Sequence, residues 1–149
     1  MAYKKIKPQN FTEKQLRDIW RDEYCAAPII TFDGVSVVFY EDKFDHLFFE
    51  SENRKAKDKS ILSYNRLEKI YWIKDTLQDP TAILKQGWDN DKKEYYKNRR
   101  LAIVKGNYVV IIRFTAKKKA TIVTAYEKED ITNILKAPDF EKTSEFFDI

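Results

Sequence analysis

His46 is the one histidine in 149 residues, and it is the only side chain here whose ordinary pKa lies near neutrality. Farther along, Arg100, Arg113, Thr124 and Tyr126 fall on segments with strand-like patterning. These types suit metal-independent cleavage of an RNA phosphodiester. That chemistry needs a base for the 2′-OH proton and an acid for the departing 5′-oxygen. It also needs cations around the phosphorus-centred transition state. His46 would handle one proton and the arginines the charge. With one histidine, a two-histidine acid/base pair is excluded. The second proton carrier would be Tyr126, Lys85 or a carboxylate such as Glu50. The plainer alternative makes His46 a surface or packed residue within the aromatic run Phe44 to Phe49.

Other chemistry finds little support. One Cys and one His give no zinc-ligand cluster, and no Gly-rich phosphate loop is present, so neither metal nor cofactor is expected. Cys25 lies near the end of an expected helix, with no motif that would activate its thiol. Trp20, Trp72 and Trp88 are expected in or near the core.

The elements that must position the candidates follow from periodicity. Tyr95 to Lys105, Tyr108 to Thr115 and Ala120 to Glu127 alternate as strands, and Gly106-Asn107 is a turn dipeptide. A two-residue turn there pairs Lys105 with Tyr108 and sets Arg100 opposite Arg113. A second two-residue turn at Lys117-Lys118 would set Arg113 opposite Ile122 and Ile111 opposite Thr124. One face then carries Leu101, Ile103, Tyr108, Val110, Ile112, Phe114, Val123 and Ala125 as a core face. The other carries Tyr96, Asn98, Arg100, Arg113, Thr124 and Tyr126, with Ala102, Val104, Val109, Ile111 and Ile122 among them. Two arginines directly opposite repel, and a carboxylate or a bound phosphate would relieve that. Their alternative role is to cover apolar sheet with their stems while the heads stay in water. A three-residue loop would instead turn Thr124 and Tyr126 toward the core.

Before the meander, Phe11, Leu16, Ile19, Trp20 and Tyr24 recur at helical spacing after an N-cap at Asn10 or Thr12. Pro28 ends that segment, and Asp33-Gly34 joins a hairpin within 29–40. Ile61, Leu62, Leu67, Ile70, Tyr71, Ile73 and Leu77 predict a long helix over 60–78, stopped by Asp79-Pro80. Thr81 to Lys85 reads as one short helical turn. The expected class is α+β, N-terminal helices on a C-terminal antiparallel meander over 95–127, with an acidic tail over 137–149. The whole of 1–149 reads as a single domain.

Charge is uneven. Residues 85–119 hold eleven Lys and Arg against three Asp and Glu, a net of +8, whereas residues 1–84 balance. Such a segment attracts polyanions, with Arg99, Arg100, Lys117, Lys118 and Lys119 as the candidate nucleic-acid contacts. Equally, a lysine-rich edge keeps a sheet soluble. No apolar run approaches a membrane span, the N-terminal ten residues lack the apolar stretch of a signal peptide, and a lone cysteine fits a reducing cytoplasm.

The stretch from about Phe44 to Glu127 resembles phage- and mobile-element-associated members of the barnase–EndoU–colicin–RelE nuclease superfamily. The resemblance rests on Phe44-Asp45-His46, Tyr64-Asn65-Arg66-Leu67-Glu68-Lys69-Ile70-Tyr71-Trp72-Ile73 with Leu77 and Asp79-Pro80, the strands around Arg100 and Arg113, and Thr124-Ala125-Tyr126. It implies a helix leading into a meandering sheet whose face cuts RNA without metal. It also implies His46, Arg113, Thr124 and Tyr126 as site residues. An RNase toxin of this kind would have an antitoxin or immunity protein as partner. Two other readings remain open at this level: a non-catalytic nucleic-acid-binding or phage accessory protein using the same basic sheet, and an interaction domain whose acidic tail covers it.

Overall fold

The computed structural model describes residues 3–50, 61–86, 88–89, 94–95, 100–116 and 118–139. Thr12 opens helix α1 (Glu13–Trp20) with a capping box. Its Oγ1 accepts the Gln15 amide at 3.1 Å, and the Gln15 side chain accepts the Thr12 amide at 2.8 Å. Wider helical turns continue over Arg21–Cys25 before Pro28. Strands β1 (Ile29–Ile30) and β2 (Ser36–Val38) then pair antiparallel. Gly34 takes φ +90 in their turn, a conformation that costs glycine little. Helix α2 (Lys43–Phe48) follows. Strands β3 (Phe49–Glu50) and β4 (Ile61–Leu62) form a separate small pair.

The long helix expected over 60–78 is broken into α3 (Tyr64–Leu67) and α4 (Trp72–Leu77). Of its expected apolar stripe, Leu67, Ile70, Ile73 and Leu77 are fully buried, whereas Ile61 and Leu62 form strand β4 with Ile61 exposed, and Tyr71 is half-buried. The break follows from where the carbonyls go. Glu68 O accepts the Ile6 amide at 2.9 Å, and Ile70 O accepts the Tyr24 hydroxyl. Two acceptors of the would-be helix are thus used by other parts of the fold. The Tyr24 oxygen in turn accepts the Lys74 amide at 3.0 Å, one of the first-turn donors that α4 cannot satisfy itself.

The short helical turn expected at Thr81 to Lys85 is instead mostly strand β5 (Ile83–Gln86). It pairs with β8 (Arg100–Lys105), and that cross-strand pairing overrides local preference. Strands β6 (Trp88–Asp89) and β7 (Glu94–Tyr95) pair with each other. The meander continues through β9 (Tyr108–Ala116) and β10 (Lys119–Glu127). The six-stranded sheet runs β1-β2-β10-β9-β8-β5. All its neighbours are antiparallel except β2 and β10, which run parallel through Ser36, Val37 and Val38. The protein is therefore α+β, but the hairpin from the N-terminal half joins the sheet. Helix α5 (Thr132–Leu135) and the segment to Asp139 close the described chain, with Gln86 N donating to Pro138 O at 2.9 Å.

One face of the sheet carries the main core. Leu101, Ile103, Val110, Ile112, Phe114, Ala120, Ile122 and Ala125 pack there with Leu16, Trp20, Tyr24, Phe44 and Leu47 and with the α3–α4 stripe. Each fully buried Leu, Ile or Phe contributes on the order of 1.5–3 kcal/mol. The opposite face is divided. Ala102, Val104 and Val109 are buried beneath Ile131, Ile134 and Tyr126, so α5 covers that half. Among the described residues, no helix covers the half containing Arg100 and Arg113.

Candidate phosphate-binding cleft

The register of β8 and β9 is the expected one, with Lys105 opposite Tyr108 and Arg100 opposite Arg113. Gly106 supplies the turn at φ +58. The β9–β10 pairing differs in its middle. Lys119 faces Ala116 across the two-residue turn, but Ala120 then faces Phe114, so Thr115 is an extra residue on β9. Ile122 faces Ile112 and Thr124 faces Ile111, so Val123 is an extra residue on β10. The two bulges cancel. Between them Arg113 lies opposite Thr121, where Ile122 was expected. Ile122 is buried in the core, and Val123, expected in the core, is half-exposed. A bulge bends its strand and increases the local twist, and here two of them flank one short stretch of ladder.

That stretch forms a cleft of about 370 Å³. Arg100, Arg113, Thr115, Thr121, Ile122 and Val123 line it from the sheet, and Tyr40 and Lys43 from the segment that leaves β2. Val38, the last residue of β2, pairs with Thr121, so the chain departs from β10 beside the cleft. Two side chains of α1 hold this departing segment. Trp20 Nε1 donates to Tyr40 O at 3.0 Å. Arg17 donates to Asp45 Oδ1 at 2.6 Å, with its guanidinium 4.5 Å from the centre of the Phe44 ring.

Electrostatically the cleft is one-sided. Three cations line it, and among the described residues none of them forms an ion pair. The Nε of Arg100 is buried without a hydrogen-bond partner among the described residues. A buried, unmade hydrogen bond of this kind costs more than a neutral one because the group is charged. Arg113 is exposed and lines the cleft. Guanidinium forks with nearby hydroxyls match the oxygens of a phosphate. Among the described residues, no group of three or more His, Cys, Asp and Glu could hold a metal ion, and no helix is long and apolar enough to cross a membrane.

The other described candidate residues lie outside this cleft. Thr124 and Tyr126 lie on the face away from the main core as expected, opposite Ile111 and Val109, but neither lines the cleft. Tyr126, like Ile131 and Ile134, packs against Ala102, Val104 and Val109. Burial raises its phenol pKa, with Arg66 opposing the rise. It borders a smaller recess with Asn65, Arg66, Lys69 and Glu127. His46 is exposed on α2 three residues after Lys43, and residues so spaced are neighbours on a helix surface. It is not among the lining residues. Lys85 is engaged by Asp139 at the outer edge of β5, and Glu50 is exposed on β3. Lys118, at φ 57, and Lys119 are exposed at the turn into β10. Arg99, Lys117, Tyr96 and Asn98 lie outside the described residues, as does the acidic tail beyond Asp139.

The structure thus keeps the arginine pair and replaces its expected hydroxyl partners Thr124 and Tyr126 with Thr115, Thr121 and Tyr40. Lys43 is the cation the sequence did not single out. No protein-family model, curated protein or solved structure matches this chain.

Proposed function

We propose that the half of the sheet face containing Arg100 and Arg113 binds RNA through its phosphodiester backbone. The observation that carries this reading is the opposed Arg100–Arg113 pair, uncompensated by any described carboxylate, with the Arg100 Nε buried and unpartnered. An anion at that point would satisfy the donor and cancel the repulsion between the two guanidinium groups. The basic segment 85–119, at net +8, favours a polyanion over a single small anion, and the superfamily resemblance favours RNA. The test is a fluorescence-anisotropy titration of labelled RNA against the wild type and the Arg100→Ala/Arg113→Ala double variant. Lys14→Ala serves as a control that removes charge from the exposed face of α1. The double variant should lose most of its affinity and the control almost none. Equal losses would reduce the effect to overall charge and overturn the reading.

A second reading adds cleavage, favoured by the position of His46 one helical turn beyond the cleft-lining Lys43. In that reading the 2′-oxygen attacks phosphorus as His46 takes its proton. The P–O5′ bond breaks, the 5′-oxygen takes a proton from solvent water, and the products are a 2′,3′-cyclic phosphate and a 5′-hydroxyl end. The arginines would stabilise the charge on the phosphorane oxygens. Tyr126 is ill placed to supply the second proton, because it lies in the α5-covered half. Incubation with total RNA in EDTA tests this reading. His46→Ala should stop cleavage while leaving RNA affinity nearly unchanged. Intact RNA with the folded wild type would leave binding alone.

A further inference from the structure

We infer that the cleft selects single-stranded RNA, with one unpaired base packed against Tyr40 and the adjoining phosphate on Arg100 and Arg113. The inference rests on the phosphate reading above and extends it to the class of nucleic acid.

The cleft joins two kinds of surface. Arg100, Arg113 and Lys43 are cationic, and Thr115 and Thr121 add hydroxyls. Tyr40 and Val123 add a flat aromatic face and an aliphatic one. A nucleotide has the same division, a planar ring at one end and an anion at the other. At about 370 Å³ the cleft is at the small end of ligand sites, which run from roughly 300 to 1,000 Å³, so it suits one nucleotide unit.

Tyr40 has the exposure and the anchorage that stacking requires. Tyr40 is 52% exposed, whereas the preceding Phe39 is 3% exposed and lies in the core. Its carbonyl accepts both Trp20 Nε1 at 3.0 Å and the Lys43 amide at 3.1 Å. The backbone under the ring is therefore fixed by bonds that the side chain does not make. Aromatic rings beside a basic groove are how single strands are held without sequence readout, since every base has a π-face. A duplex presents its phosphates outward but keeps its bases paired and stacked, so it would engage the arginines and leave Tyr40 empty.

The experiment compares a short labelled oligouridylate with a duplex RNA of the same length at one salt concentration. Wild type, Tyr40→Ala, Tyr40→Phe and Arg113→Ala are each titrated. The wild type should prefer the single strand. Tyr40→Ala should lose about 5- to 150-fold in single-strand affinity, the range of one base–aromatic stack. Its duplex affinity and melting temperature should stay unchanged. Tyr40→Phe should keep the preference, and Arg113→Ala should weaken both ligands. Equal binding of the two RNAs, with Tyr40→Ala silent and Arg113→Ala weak on both, would overturn the single-strand inference and leave phosphate binding standing. An Arg113→Ala variant that binds both RNAs like the wild type would overturn both.

Discussion

Replacing Arg113 with alanine separates a binding residue from a structural one. Arg113 lies mid-strand between two buried residues, Ile112 and Phe114, yet is itself exposed and opposite Arg100. Like charges directly opposite on a sheet cost on the order of 0.2–1 kcal/mol, which the substitution would return. Alanine is a poorer strand residue than a long side chain, by an amount within the ~1 kcal/mol span of strand preference. The two effects nearly cancel, so the melting temperature should stay within about 4 °C of wild type. Binding should respond much more. Removing one phosphate contact from a single strand lowers the slope of log affinity against log salt by about 0.7. The assay is an RNA titration at four or more salt concentrations, with thermal melts on the same preparations. A large drop in melting temperature with the salt slope unchanged would refute the reasoning. It would make Arg113 a covering side chain whose stem protects the sheet.

Three further outcomes follow from the fold. Asp79 accepts from the Thr81 amide and hydroxyl at 2.8 and 2.6 Å and from Tyr3 at 2.8 Å, and lies 3.6 Å from Lys105 Nζ. The hydrogen bond from the Thr81 side chain is the main reason its pKa is lowered to about 2. Because the folded value is below the unfolded one, about 3.9, this stabilisation is complete above that pH and fades as pH falls toward 2. Urea midpoints should show Asp79→Asn less stable than wild type at neutral pH, with the gap narrowing between pH 4 and 2. Tyr24→Phe leaves the Ile70 carbonyl and the Lys74 amide without their hydroxyl partner. The cost is about 1–3 kcal/mol, read as a melting temperature lower by about 3–10 °C. Gly106→Ala meets no atom within 4 Å but must hold φ +58. Calorimetry should show a loss of about 1–2 kcal/mol from backbone strain alone.

How much was legible in the sequence differs from element to element. The Gly106-Asn107 turn and strict alternation were enough to place Arg100 opposite Arg113, because a two-residue hairpin leaves one register. The core face of β8 and β9 followed from the same alternation. The middle of β10 did not. In Ala120 to Tyr126, small and branched residues suit either face, so nothing local marks Val123 as the extra residue. The same is true of Thr115. The stripe from Leu67 to Leu77 was readable as one buried face, but the break at Glu68 to Tyr71 was set by Ile6 and Tyr24, partners more than forty residues away in sequence. Tyr40 and Lys43 reach the cleft through the parallel pairing of β2 with β10, a long-range contact with no sequence signature. His46 was visible by being unique, and its neighbourhood to Lys43 follows from α2.

The paired bulges also bear on how the cleft keeps its shape. Two strands bonded along their length behave like the two metals of a bimetallic strip: where one is longer, the pair must curve. Thr115 lengthens β9 and Val123 lengthens β10 a few pairs later, each by about 3.3 Å. The ladder is therefore driven to curve one way and then back, and the hollow between is a crease in the hydrogen-bonded sheet. A crease of this kind needs no loop to close over it, and its curvature is already established when the chain folds. A ligand entering it would meet a surface whose ordering entropy was spent during folding.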